Sequence, residues 1–218
     1  RIPAPDFAVI PLGRSAVLPK RMSYPLIVKS LTYESSIGIS QASVVANQEQ
    51  LEKRVKFIHE TLATAAIVEQ FVNGRELYVG VLGNHRLRVF PVWEMSFSKM
   101  AEGNWRIATE RVKWNAAYQE RHGIETSEAK LENGLAAKVQ HLAKRAYRAL
   151  ELSGYARIDF RLDESGKAYV IEANPNPQLA EQEDFAQSAR HAKVTYAQLL
   201  ERIMALGLEW QPHRMGIE

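Results

Sequence analysis

The chain has 218 residues, of which 46% are hydrophobic and 24% charged, with a net charge of +3 at pH 7. That mix excludes a disordered tail, a collagen-like repeat and a low-complexity linker, and no apolar run reaches the roughly 20 residues of a membrane span. Cysteine is absent, which removes disulfides, thiolate metal sites and a cysteine nucleophile and fits a reducing cytoplasm. In chain order, the first 25 residues read as a proline-rich entry segment with one short strand at 7–11. A strand at 26–29 follows, then a polar turn at 32–36 and a second short strand at 37–40. Asn47, with Gln50 three residues on, is a helix start of the capping-box type. Behind it Leu51, Val55, Ile58 and Leu62 recur on one helical face, and Glu49–Lys53 and Glu52–Lys56 form i,i+4 pairs on the wet side. Strands are expected at 66–72 and 76–82, the second returning through 87–92 as a hairpin. Residues 96–126 read as a long irregular functional loop. A long helix is expected over 128–152, with Leu131, Leu135, Val139, Leu142, Ala146 and Leu150 on its apolar face and Gly154 as its stop. A hairpin over 155–174 and a helix after Thr195 close the chain. The fold class is α+β, with a lobe boundary near residue 73: one lobe over 1–73 and a larger one over 74–218.

The hairpin at 155–174 carries the most chemistry. Ala156, Ile158, Phe160 and Leu162 share one face of its first strand, and Arg157, Asp159 and Arg161 share the other. Pairing Asp163 with Ala168 puts Asp159 opposite Glu172 and Arg157 opposite Asn174, with the carboxylates' Cβ atoms about 5 Å apart. Like charges directly across a sheet destabilise it unless something positive lies between them. Two carboxylates and an amide offer only hard oxygen ligands, the set that suits Mg²⁺ with waters and phosphates. On spacing alone the favoured reading is a solvated face on which Arg157 neutralises Asp159, since charged alternation is common.

Arg157-x-Asp159, followed by Glu172-x-Asn174, resembles the metal signature of ATP-grasp enzymes. The stretches Tyr155–Asp163 and Ile171–Pro175 are similar to those of D-alanine–D-alanine ligases and related peptide ligases. Lys29 and the Ser35-Ser36-Ile37-Gly38 run resemble the family's phosphate lysine and its serine/glycine loop. Val68-Glu69-Gln70-Phe71-Val72, with Gly74 and Glu76, resembles the hinge strand that holds adenine and ribose, and Lys113-Trp114 sits where these ligases carry a Lys-aromatic pair over the phosphates. The resemblance implies an ATP-grasp fold of two lobes, built on mainly antiparallel sheets with flanking helices, with the nucleotide held between them. It implies ATP and Mg²⁺ (or Mn²⁺) as cofactors, with Asp159, Glu172 and Asn174 as metal ligands. Lys29, Ser35 and Ser36 would serve the phosphates, and Glu69, Gln70, Phe71 and Val72 the adenine. Glu76 would accept from the ribose hydroxyls, and Lys113 and Trp114 would cap the phosphates when their loop closes. Arg157 and Lys113 would be catalytic, Arg157 stabilising the transferring phosphoryl group.

The implied activity is ADP-forming ligation in the cytoplasm: a small carboxylate is activated as an acyl phosphate and attacked by an amine. The alternative is a regulatory ATP-binding module without turnover. For the two loop residues and for Glu76 the residues alone also allow a plain turn and an exposed strand glutamate. Departures from the family are Pro175 onward, Ser30 where many relatives have Pro, and Glu34 where they have Gly, and they point to a substrate other than two D-alanines. Gln178, Glu181 and Glu183 form an acidic stretch that either faces an amine or is solvated. The start Ile2-Pro-Ala-Pro-Asp-Phe resembles the point where the ATP-grasp portion begins, so a preceding domain with part of the acceptor site is expected. The pI of about 9.1 and the stripe Lys138, His141, Arg145 and Arg148 raise nucleic acid, but the stripe reads as a solvated helix face. Neither nucleic acid nor membrane is expected as a partner, a homodimer is left open, and the six histidines lack metal-ligand spacing.

Overall fold

The computed structural model describes residues 1–132 and 134–210. In chain order its elements are β1 (Phe7–Ile10), β2 (Leu26–Ser30), β3 (Val44–Val45), α1 (Gln48–Thr61), β4 (Ala66–Gln70) and β5 (Arg75–Leu82). Then come β6 (Arg88–Val89), β7 (Trp93–Phe97), α2 (Glu110–Trp114), α3 (Ala116–His122), β8 (Ile124–Glu128) and α4 (Leu135–Ala149). The last four are β9 (Tyr155–Leu162), β10 (Ala168–Asn174), α5 (Asp184–His191) and α6 (Tyr196–Leu208). The chain divides into two compact units, one made of Ala4–Gly74 with Ser96–Glu125 and the other of Arg1–Pro3, Arg75–Met95 and the chain from Thr126 onward. The first break falls beside the expected residue 73, while 96–125, expected in the larger lobe, clusters with the first unit.

The first unit is built on a four-stranded antiparallel sheet in the order β1-β4-β2-β3. Strand alternation decides its two faces. Leu26, Val28, Ala66 and Val68 are buried in one cluster with Leu51, Val55 and Ile58 of α1, whereas Lys29 and Glu69 stand at the alternate positions. Asn47 caps α1, accepting from the Gln50 N–H at 3.0 Å. The Gln50 side chain reaches Ala46 N–H rather than Asn47, so the box closes one residue early. Lys53 pairs with Glu49, but Lys56 pairs with Glu60 instead of Glu52, and Glu52 accepts from Gln48.

Two expectations fail here. Residues 37–40 are not a strand: Ser35, Ser36 and Gly38 all have positive φ, and the chain turns through them before pairing resumes at β3. Nor is 96–126 irregular throughout. Thr109 and Asn115 cap α2 and α3 by accepting from Val112 and Tyr118 N–H, and left-handed Gly123 ends α3.

The second unit is an antiparallel sheet in the order β10-β9-β5-β7-β8, with β6 paired to β5. Leu77, Val79, Val81, Ile158 and Phe160 pack against Val139, Ala143, Ala146 and Tyr147 of α4. The helix is shorter than expected, because residues through Glu128 belong to β8 and Gly134 in the left-handed region starts the helical turn. Its buried stripe is centred on Ala143 and Tyr147, and Leu150 is 55% exposed. Over the other face of the sheet, Phe90, Phe185 and Leu199 join Leu82 in a separate cluster. Gly80 is required beneath them, since a Cβ there would lie 2.7 Å from the Phe90 ring. Helix α5 follows the acidic stretch at 178–183, in a segment for which no element was expected; its 8 residues are barely two turns, too short for a clear periodicity.

Tyr147 gives one testable consequence. Its hydroxyl donates to Gly83 O at 2.8 Å, and burial pushes its pKa up to about 12. An unfolded tyrosine ionises near ~10, so the proton is held more tightly in the folded state. The contribution is full below the unfolded value and is lost as pH rises from about 10 to about 12. We expect Tyr147→Phe to cost about 1 kcal/mol in urea titrations near pH ~9 and less near pH ~11; an unchanged gap contradicts this account.

Candidate functional site

The chemistry-bearing hairpin of the second unit is formed by β9 and β10. Ala168, Tyr169 and Val170 pair with Leu162, Arg161 and Phe160, and the register then shifts by one residue before Glu172. Beyond that bulge, Glu172 lies opposite Asp159 and Asn174 opposite Arg157. The turn pairs Ala168 with Leu162 rather than with Asp163, so the bulge is what brings the two carboxylates level. On the neighbouring strand Glu76 is opposite Arg161, Tyr78 opposite Asp159 and Gly80 opposite Arg157.

This face is a set of alternating charges held by close contacts. Arg157 grips Asp159 bidentately, Nε to Oδ1 at 2.7 Å and Nη2 to Oδ2 at 2.8 Å, and its guanidinium lies 4.6 Å from the Tyr78 ring centre. Asp159 is 3% exposed. Burial works against the Arg157 charge, but the Asp159 carboxylate outweighs it and drives the pKa upward. The Tyr78 hydroxyl donates to Glu76 Oε1 at 2.8 Å, and Arg161 Nη1 donates to Oε2 at 3.1 Å. Burial, reinforced by Glu76, pushes the Tyr78 phenol well up, so it remains a donor. Glu76 is thus a buried, doubly engaged carboxylate rather than an exposed strand residue. Among the described residues no three His, Cys, Asp or Glu side chains gather as a metal cluster; the register sets Asp159 opposite Glu172 with Asn174 two residues on, and Asn174 Oδ1 accepts from Asn176 N–H at 3.0 Å. Gln178, Glu181 and Glu183 are exposed as residues, though partial desolvation of the Glu183 carboxyl, followed by the Asp184 charge, raises its pKa. The stripe on α4 is solvent-facing, with Lys138, His141 and Arg148 exposed.

In the first unit, Lys29 of β2 and Glu69 of β4 form an ion pair on one sheet face. The Gln70 side chain is committed to the 23–25 turn, donating to Pro25 O and accepting from Ser23 N–H. Phe71 packs edge-on against Trp105. The Ser35–Gly38 turn is tied to the segment around α2: the Trp114 indole N–H donates to Ser35 O at 3.2 Å, Gly38 N–H donates to Glu110 Oε2 at 3.2 Å, and Glu110 N–H donates to Ile39 O. Lys113 is in the last turn of α2, half-buried. Two consecutive non-glycine residues in the left-handed region cost about 1–2 kcal/mol each, a strain these ties hold in place.

Sequence reasoning missed several participants. Tyr78 and Arg161 complete the surroundings of Glu76, and cross-strand pairing of 76 with 161 was not available until the strand order was known. Glu110 had no motif. Ser30 did have one: its buried hydroxyl accepts from Thr32 and Tyr33 N–H, the serine-turn pattern that Ser-x-Thr-Tyr allows.

Comparison with known proteins places this arrangement. The D-alanine–D-alanine ligase of Desulfotalea psychrophila is 34% identical over 218 residues, covering 99% of this chain and 64% of that protein. A structure of D-alanine–D-alanine ligase from Bacillus anthracis complexed with ATP matches with a TM-score of 0.74 at 20% identity, over 95% of this chain and 61% of its own. The VanG D-Ala:D-Ser ligase of Enterococcus faecalis matches with a TM-score of 0.70 at 21% identity, over 94% of this chain and 57% of its own. The fold is the mixed α+β, antiparallel-sheet arrangement of these ATP-grasp ligases. This chain spans about three-fifths of the length of the curated relatives it matches. Residues 7–205 match the family model described as D-ala D-ala ligase C-terminus, and the chain belongs to that family.

Proposed function

We propose that this chain carries the nucleotide and metal chemistry of an ADP-forming ligase that joins a carboxylate to an amine. The observation that carries the reading is the register of the hairpin, which sets Asp159 beside Glu172 and Arg157 beside Asn174 in a chain of this family. The donor set suits a hard divalent cation. A carboxylate has about four acceptor sites, so the grip of Arg157 on Asp159 leaves others for a cation, and Glu172 is exposed. Asp159, Glu172 and Asn174 would hold Mg²⁺, which when bound neutralises charge on the β- and γ-phosphates.

The chain's own residues do the rest. A substrate carboxylate oxygen attacks the γ-phosphorus, the bond from the γ-phosphorus to the β,γ-bridging oxygen breaks, and ADP leaves. The amine nitrogen then attacks the acyl carbon, the acyl–oxygen bond breaks with loss of phosphate, and the amine's proton passes to solvent. Arg157, fixed by Asp159 and backed by Tyr78, is a preorganised cation for charge developing on the transferred group. Lys29, held by Glu69, supplies a point charge for phosphate oxygens. The Ser35–Gly38 turn and Lys113 serve the same phosphates, and Glu69, Gln70, Phe71 and Val72 provide the adenine-binding path. Glu76 is positioned for a hydroxylated ligand such as ribose through acceptor sites not used by Tyr78 and Arg161. The relatives' names specify D-alanine, and in one case D-serine, as substrates; the departures from Pro175 onward favour a different carboxylate or amine here.

The test is ADP release by the full-length protein across a panel of amino acids, dipeptides and other carboxylates. ADP formation that needs both Mg²⁺ and one class of carboxylate is the expected result. Tight ATP binding with no carboxylate-dependent turnover across the panel would instead leave a nucleotide-binding module.

A further inference from the structure

The first unit contains an open pocket of about 740 Å³ between the 38–42 segment, α1 and the α2–α3 segment. It adjoins the residues assigned to the nucleotide and overlaps them only at one edge. Lys29 and Glu69 stand on the sheet face opposite to the one that packs on α1, and none of Lys29, Ser35, Ser36 or the 69–72 strand lines the pocket. Gly38, at the end of the Ser35–Gly38 turn, and Trp114 are shared.

Arg54 of α1 lines the pocket and is 7% exposed. One guanidinium nitrogen donates to Gly38 O, and the group stacks 4.4 Å from the Phe57 ring centre. Its Nε–H is buried with no hydrogen-bond partner among the described residues. Burial also pulls the Arg54 pKa downward, and an anion seated in the pocket beside this side chain would offset the cost of keeping its charge there. Arg111 is a second basic residue in the lining, and Glu110, which also lines it, has its carboxylate engaged by Gly38 N–H. Phe57, Trp114 and Tyr118 complete the pocket with aromatic surface.

We propose that this pocket is a second binding site, for a small organic anion carrying a flat apolar ring. The oxyanion meets Arg54 and Arg111, and the ring lies against Phe57, Trp114 and Tyr118. This site does not depend on the ligase reading.

Sodium benzoate is the probe, titrated into the full ¹⁵N-labelled chain while the Gly38 amide and Trp114 indole resonances are followed. Saturable shifts of both are expected, with neutral benzyl alcohol binding at least ~10-fold more weakly because it lacks the charge-assisted hydrogen bonds. Arg54→Met should weaken benzoate by about 10-fold or more. If that buried substitution unfolds the chain, the exposed Arg111→Ala decides the matter, a loss of about 3-fold or more being the expected result. Absence of saturable shifts, equal binding of benzyl alcohol, or unchanged benzoate affinity in the folded variants would overturn the proposal.

Discussion

Arg157→Leu is expected to destabilise the second unit by about 3–5 kcal/mol, because it strands a buried carboxylate. Asp159 is 3% exposed, and both of its oxygens receive hydrogen bonds from Arg157. The double variant Arg157→Leu/Asp159→Asn should recover most of the loss, since it removes the uncompensated charge as well as its partner. Urea denaturation reads this as a shift in midpoint at constant slope. Added MgCl₂ should raise the midpoint of the single variant more than that of the unsubstituted chain, as a cation bound only by the folded state stabilises it. A single variant within about 1 kcal/mol of the parent would sink the account, and so would a double variant no better than the single. In the full-length protein, the same substitution should reduce carboxylate-dependent ADP release by roughly 10²–10³-fold, the usual loss when one preorganised stabiliser of transition-state charge is removed.

The hairpin that carries this prediction was legible in the sequence, but by a route the structure alters. The expected opposition of Asp159 and Glu172 is present although the expected turn pairing, Asp163 with Ala168, is not. The strands start one residue out of that register and are brought into it by the bulge before Glu172. Alternation along β9 identified which residues share a face, because side-chain period 2 is a property of the strand itself. A bulge leaves no such mark, since one extra residue among Val170, Ile171 and Glu172 changes no composition. The solvated-face reading was half right as well: Arg157 does neutralise Asp159, but in a buried setting, where the pair is a strong constraint rather than surface decoration.

Elsewhere the reading succeeded where local signals were redundant and failed where tertiary contacts decide. Asn47 and the Leu51-Val55-Ile58 spacing located α1 because cap and stripe agree. The stretch 96–126 hid two helices of 5 and 7 residues, too short for a hydrophobic period, and only the capping residues Thr109, Asn115 and Gly123 marked them. The apparent strand at 37–40 has suitable residues, but Ser35, Ser36 and Gly38 are held at positive φ by ties to α1, Glu110 and Trp114, none of them local in sequence. Likewise, Glu76 could be read as a candidate acceptor, but its burial with Tyr78 and Arg161 depends on β5 and β9 being neighbours.

Glu172→Gln separates metal chemistry from folding more cleanly than any change at Asp159. Glu172 is exposed on β10, so its replacement by a near-isosteric amide should leave stability within about 0.5 kcal/mol. The amide keeps one oxygen but loses the charge, and a hard cation depends on that charge for affinity. Mg²⁺-dependent ADP release in the full-length protein is therefore expected to fall by about 10²-fold or more, equivalent to a few kcal/mol of lost charge stabilisation. The concentration of Mg²⁺ giving half-maximal rate should rise in parallel. Asp159→Asn would confuse the two effects, because it also leaves the Arg157 guanidinium without its bidentate partner. If Glu172→Gln preserves both the rate and its Mg²⁺ dependence, the cation is not held by this hairpin. The face would then be a structural charge network centred on Arg157, and the phosphate-binding role would rest with the first unit. If the rate falls at unchanged Mg²⁺ dependence, Glu172 acts on the reacting groups rather than on the metal. Only the combined loss, with folding intact, fits the donor set formed by Asp159, Glu172 and Asn174.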